Sequence, residues 1–202
     1  MGVGRALRVV VVLSGRGSNL MALHTQASTQ GYEIVGVISN KPGALGLLYA
    51  QAQGLPAMLV DHRDYETSTL FEAALAATID QYKAHVIALA GFLRVLGPAF
   101  VRRYAGRLIN IHPSLLPAFP GLDTHARALR AGAREHGATV HFVTDTLDSG
   151  PIIAQARLAI EPGEDPLHLA NRVLTLEHTL YPAVLGQFAN GQIPLPEPEA
   201  RG

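Results

Sequence analysis

Residues 8–20 read RVVVVLSGRGSNL, and this stretch decides the fold. RVVVVL (8–13) is an unbroken β-branched and apolar run, the pattern of a strand buried on both faces. SNLMALHTQASTQ (18–30) then sets Leu20, Leu23 and Ala27 on one helical stripe. Gly15, Gly17, Ser18 and Asn19 make the joint between the two. A buried strand that turns through glycines into a helix opens a βαβ unit, so the rest of the chain should repeat the alternation.

It does. EIVGVIS (33–39), PAMLV (56–60) and HVIALA (85–90) are further short apolar runs, separated by ALGLLYAQAQ and YETSTLFEAALAATIDQY. In the second of these separators Leu70, Ala74, Ala77 and Tyr82 come close to a helical stripe. Strands and helices at this spacing predict right-handed crossovers and a parallel sheet. RLINI (107–111) is a fifth strand. ATVHFVT (138–144) and PIIAQARLAI (151–160), joined across DTLDSG, predict an antiparallel pair. A last helix runs from Pro166 to about Leu180 with Asp165 as its N-cap, and Pro182 should break or kink it. The expected fold is a single α/β domain over 1–202, a mostly parallel Rossmann-like sheet flanked by helices with an antiparallel strand extension in its C-terminal half. Its parts are a first half (1–106), a second half (107–190) and a frayed tail (191–202).

Composition narrows the class. At 202 residues, 48% hydrophobic and 16% charged, the chain is globular and long enough for a sheet covered on both faces. Sixteen Lys and Arg balance sixteen Asp and Glu, so nothing at this level points to a nucleic-acid backbone. The absence of cysteine rules out disulfides, thiolate nucleophiles and Cys-based zinc sites, and is compatible with a reducing cytoplasm. MGVGRALRVVVVL does not read as a signal peptide, and no apolar run reaches the ~20 residues of a membrane helix. The expectation is a soluble, cytoplasmic protein with no membrane or nucleic-acid partner.

The loop after the first strand suits an anion. Glycines let backbone N–H groups approach a ligand, and the following helix N-terminus adds unpaired donors and partial positive charge. A plain tight turn with Ser18 as N-cap would explain most of the same residues. Leu20 stands where a dinucleotide fingerprint needs its third glycine, and Ser39 and Asn40 stand where it needs an acid. The Gly-Lys-Ser/Thr of a nucleotide-triphosphate loop is absent as well. A single phosphate monoester suits the loop better than either nucleotide and somewhat better than a plain turn.

The second half carries a polar constellation. NIHPSLLPAFPG (110–121) puts Asn110 and His112 on one side of a strand, at its carboxyl end, where open α/β sheets hold ligands. Pro113, Pro117 and Pro120 stiffen the chain beyond. TDTLDSGP brings Asp145 and Asp148 on a loop with a flexible Ser-Gly. A carboxylate beside a histidine favours the imidazolium, a useful acid near neutral pH, and an asparagine can donate to a developing oxyanion. Attack on an acyl carbon without a covalent intermediate fits these groups; a capped strand end and an ordinary Asp-rich loop fit them too, and spacing does not choose. His125, His136 and His141 show no H-E-x-x-H or comparable spacing, so no metal is expected, and His141 reads as a half-buried strand residue. No G-x-S-x-G elbow is present. Glu177 shares a helical stripe with Ala170, Val173, Leu174, Tyr181 and Val184, so it faces the core or a cleft. It is either the buried partner of an arginine or an acceptor for ligand hydroxyls.

LSGRGSNL (13–20), AGFLRVL (90–96), NIHPSLLPAFPG, HGATVHFVTDTLDSGPII (136–153) and TLEHTLYP (175–182) together resemble the glycinamide ribonucleotide transformylases. These are folate-dependent formyltransferases of purine synthesis. The match runs in order from about residue 8 to 190; jointly the motifs are highly specific, whereas the first loop alone would be weak. The resemblance implies that the amine of glycinamide ribonucleotide attacks the formyl carbon of 10-formyltetrahydrofolate, with no metal. It implies His112 as general acid at the formyl oxygen, Asn110 hydrogen-bonding there, and Asp148 keeping the histidine protonated and helping to move the amine's proton. It implies Gly17, Ser18 and Asn19 around the substrate phosphate, and Glu177 at its ribose or glycinamide portion. Leu93, Arg94, Val95 and Leu96 would line the pterin pocket, largely through backbone groups. Two positions depart from the pattern. Ser68 stands where many members carry a cofactor-contacting arginine, with Arg63 as the nearby cation, and Asp123 stands where some have histidine.

Relatives sharing the Asn-His-Asp trio include 10-formyltetrahydrofolate deformylase, with a domain ahead of strand one, and methionyl-tRNA formyltransferase, with a further C-terminal domain. A first strand at residue 8, a chain of 202 residues and no net positive charge favour the small-substrate enzyme, as a monomer or homodimer. A non-catalytic phosphoribosyl-ligand binder predicts loss of at least one of the trio, and all three are present.

Overall fold

The computed structural model describes residues 6–196, so positions 197–202 of the expected frayed tail lie outside the described residues. In chain order the strands are β1 (Leu7–Leu13), β2 (Tyr32–Ser39), β3 (Ala57–Leu59), β4 (Val86–Leu89), β5 (Leu108–His112), β6 (Glu135–Phe142) and β7 (Ile152–Ala159). The helices are α1 (Ser18–Gln30), α2 (Leu45–Ala52), α3 (Ser68–Gln81), α4 (Pro98–Arg103), α5 (Thr124–Arg130) and α6 (Pro166–Ala189). The sheet order is β3-β2-β1-β4-β5-β6-β7, parallel from β3 to β5 and antiparallel from β5 to β7. This is the α/β architecture expected, antiparallel extension included.

β1 is an interior strand between β2 and β4, and its unbroken apolar run has a reason. Val9, Val11 and Leu13 pack into one cluster with Leu20 and Leu23 of α1 and Tyr181 and Leu185 of α6. Val10 and Val12 enter the opposite cluster with Phe71, Leu75 and Ile79 of α3 and Phe100 of α4. Burial on both faces removes any need for polar alternation. The strand order reverses between β1 and β4, which opens a crevice outside their carboxyl ends.

Pro182 does not end the last helix, which continues to Ala189. A proline has no N–H for the carbonyl one turn back, here that of His178. Gln26 of α1 supplies the missing donor: its Nε2 lies 3.1 Å from His178 O. The helix is thus completed by its neighbour, a contact no local pattern shows. Gln26→Leu should cost about 1 kcal/mol of unfolding free energy by chemical denaturation, the loss of a half-buried hydrogen bond. Much of that cost should vanish beside Pro182→Ala, whose restored N–H closes the helix itself; an equal cost in both backgrounds would refute the account.

Other boundaries moved for tertiary reasons. β6 begins at Glu135 rather than 138, because Glu135 and His136 pair with Ala159 and Leu158 of β7 despite their polar sequence. The six-residue α4 and seven-residue α5 are too short to show a stripe. Ile193 and Leu195, in the segment expected to fray, pack against the core.

Candidate active site

The loop after β1 is shaped by close packing. Gly17, not Ser18, is the N-cap of α1, at φ 76°, and it brings no side chain to cap the helix. A Cβ there would lie 2.4 Å from the Cα of Gly46 at the start of α2, so both the left-handed backbone and the contact demand glycine. The first intrahelical bond runs from Met21 N–H to Gly17 O (2.9 Å), leaving the earlier N–H groups of α1 without intrahelical partners. Ser18 is the first residue of the helix, and Asn19 points inward instead of into the loop. Asn19 Nδ2 donates to Glu177 Oε2 at 2.7 Å, while its Oδ1 is buried with no protein partner.

Glu177 is therefore not the partner of an arginine. Burial raises its pKa, opposed by the Asn19 hydrogen bond. One turn on, the Tyr181 hydroxyl donates to Leu89 O (3.0 Å) and Ile109 O (3.3 Å), tying α6 to β4 and β5 and fixing where Glu177 stands.

Asn110 and His112 do share a face of β5, and β6 completes it: Asn110 pairs with His141 and His112 with Thr139. The loop between β6 and β7 folds back over this face. Gly150 allows it, since a Cβ there would collide with Phe142 O at 1.8 Å. Asp148, at φ 49°, lands between the two histidines. Its Oδ2 accepts from Gly121 N–H at 2.8 Å and lies 3.4 Å from His112 Nδ1; its Oδ1 lies 3.7 Å from His141 Nε2. His112 Nε2 lies 3.0 Å from Phe119 O, and a carbonyl only accepts, so that nitrogen carries a proton. The nitrogen of His112 that faces Asp148 is Nδ1.

His141 belongs to the site, although its sequence context reads only as that of a half-buried strand residue. Its Nδ1 donates to Phe142 O at 2.9 Å, and burial, ahead of every other influence, pushes its pKa below the ordinary value. A neutral ring protonated at Nδ1 offers Nε2 as an acceptor, and Asn110 Nδ2 lies 3.3 Å from it. His141 thereby fixes which way the Asn110 amide faces. Its strand position opposite Asn110 was the available signal, but only the antiparallel pairing register reveals it.

The remaining predicted residues divide. Ser14 links the first loop to the stretch after β4, its N–H reaching Gly91 O (3.1 Å) and its Oγ accepting from Leu93 N–H (2.9 Å). Leu93 and Val95 are exposed, Arg94 lies over the Phe71 ring, and Leu96 is buried in the core. Arg63 is held by Asp61, with Nη2 2.7 Å from Oδ2, and this pairing keeps the Asp61 carboxyl down at about 2. Ser68 opens α3 and Asp123 is the N-cap residue of α5. His136 Nε2 lies 3.2 Å from His125 Nδ1, and burial, then His125 and His112, pushes the His136 pKa down to about 4. Among the described residues no three His, Asp or Glu side chains group as a metal site. None of the described helices is long and apolar enough to cross a membrane. A cavity of about 390 Å³ lined by Asp80, Lys83, Arg103 and Arg107 opens at the amino ends of β4 and β5, the edge away from His112. Its arginines are engaged where they stand, Arg103 with Asp80 and Arg107 with Ala84 O.

A mostly parallel sheet with a glycine-rich loop after β1, and with Asn110 and His112 of β5 gathered against Asp148 of the β6–β7 loop, defines an α/β protein with a polar cluster at the carboxyl edge of its sheet. Comparison with known proteins makes this particular. The family model described as formyl transferase matches residues 7–185, and the chain belongs to that family. Within it, the chain is 44% identical to the phosphoribosylglycinamide formyltransferase of Escherichia coli, over 95% of this chain and 91% of that protein. It is 46% identical to the trifunctional purine biosynthetic protein adenosine-3 of Drosophila melanogaster, over 93% of this chain but only 14% of that much longer protein. The solved phosphoribosylglycinamide formyltransferase of Coxiella burnetii, in complex with CHES, superposes with a TM-score of 0.89 at 51% identity, covering 92% of this chain and 88% of that one.

Proposed function

We propose that this chain transfers the formyl group of 10-formyltetrahydrofolate to the amine of glycinamide ribonucleotide, with His112 as general acid. The observation that carries the reading is the placement of Asp148 against His112 Nδ1 and His141 Nε2, beside Asn110. The amine lone pair attacks the formyl carbon, and the carbonyl electron pair moves onto oxygen. Asn110 donates to that oxyanion and His112 gives it a proton from Nδ1. Asp148 stabilises the imidazolium and helps carry the proton lost by the attacking amine. Collapse of the tetrahedral carbon then returns the hydroxyl proton to His112 and expels the folate nitrogen, which takes up the proton lost by the amine. The α1 N-terminus at Gly17, Ser18 and Asn19 receives the substrate phosphate through backbone N–H groups, since the Asn19 side chain is engaged by Glu177. Glu177 and the unpaired Asn19 Oδ1 are left to meet hydroxyl or amine groups of the substrate. Leu93, Arg94, Val95 and Leu96, with Asn110, hold the pterin.

The test is consumption of 10-formyltetrahydrofolate by purified protein with and without glycinamide ribonucleotide. Turnover should require the amine. Equal consumption without it would mark a deformylase, and none in either case a non-catalytic binder.

A further inference from the structure

The loop that follows His112 is closed on itself. His112 Nε2 donates to Phe119 O, seven residues on, so the imidazole is aimed only as well as residues 113–119 are held. The hold converges on one hydroxyl. Thr139 stands opposite His112 across the β5–β6 pair, and Gln155 stands opposite Thr139 across β6–β7. Thr139 Oγ1 donates to Ser114 O (2.6 Å) and accepts from Leu116 N–H (3.1 Å) and Gln155 Nε2 (2.9 Å). One donor and two acceptor sites are all a hydroxyl has, so the group is saturated. From these anchors Ser114 Oγ donates to Ala118 O (2.6 Å), the residue before Phe119, and Gln155 Nε2 also reaches Leu116 O (2.8 Å). Thr139 and Ser114 are wholly buried, so neither meets a ligand.

We infer that Thr139 is a positioning residue for formyl transfer: its hydroxyl fixes the 113–119 loop, and through Phe119 O the direction of the His112 imidazole. This rests on the reading of His112 as the proton donor. An isosteric Thr139→Val leaves Leu116 N–H and Gln155 Nε2 without their shared acceptor and removes the donor to Ser114 O, so the loop loses its register against β6. Misplacement of a catalytic group by about 1 Å from a change remote from the chemistry costs on the order of 10²-fold.

The experiment compares steady-state kinetics of the full chain with Thr139→Val, Thr139→Ser, His112→Ala and the double variant Thr139→Val/His112→Ala. The expected result is a ~10- to 10²-fold fall in kcat for valine with KM for the amine substrate little changed. Serine should restore kcat, and the valine effect should disappear in the His112→Ala background, since a group that acts through His112 has nothing left to aim. A normal kcat for valine, or an undiminished valine effect without His112, would overturn the inference. Should the valine protein not fold, Gln155→Met tests the same clamp: a selective fall in kcat supports it and an unchanged kcat refutes it. A His112→Ala protein with normal turnover refutes the general-acid reading itself, whereas an impaired His112→Ala beside a normal Thr139→Val refutes only the clamp.

Discussion

Replacing His112 by alanine lowers kcat by at least ~10²-fold, the usual scale for losing a general acid, while the protein stays folded. The residue is 5% exposed and its side chain is hydrogen-bonded at Nε2 to a carbonyl, so truncation leaves a small void at a strand end and frees one backbone acceptor. Neither consequence undermines the sheet, because the strand partners of β5 are held by main-chain bonds. The loss should therefore appear in turnover with an intact unfolding transition. Turnover near that of the unaltered protein would remove His112 from the role given to it.

Asp148→Asn is the second large effect, expected to lower kcat by ~10²-fold or more with a far smaller change in KM for the amine substrate. Asparagine adopts the left-handed backbone that Asp148 has at φ 49°, and its amide oxygen still accepts from Gly121 N–H. What it removes is the negative charge beside His112 Nδ1. The geometry of the loop is kept and the electrostatics are lost, so the comparison isolates the charge. A kcat within about threefold of the original would show that the carboxylate is only a loop anchor, since even weak acid–base roles exceed that factor.

The site is legible in the sequence in unequal parts. Asn110 and His112 are readable because a period of two puts them on one strand face. Glu177 is readable as inward-facing because a period of 3.6 places it with Tyr181, but its partner is not. Asn19 lies 158 positions away and meets Glu177 only because α1 packs on α6. His141 reads as an ordinary strand residue, since its value lies in standing opposite Asn110, and antiparallel register across a long loop is not encoded in local spacing. Prolines account for part of the stiffness of the loop after His112; the hydroxyls of Thr139 and Ser114 hold it as well.

The sequence by itself determined the class of fold, and it singled out the sheet edge and the residues proposed to carry the chemistry. These depend on short-range rules: apolar periodicity, glycine at tight joints, and residue types grouped within one loop or strand. Only the tertiary structure decided how those groups are aimed. Gln26 supplies the donor that α6 lacks at Pro182, His141 sets which way Asn110 faces, and Thr139 holds the loop that aims His112. Each of these rests on hydrogen bonds between segments distant in sequence, and such bonds form only after burial of the core has brought their ends together.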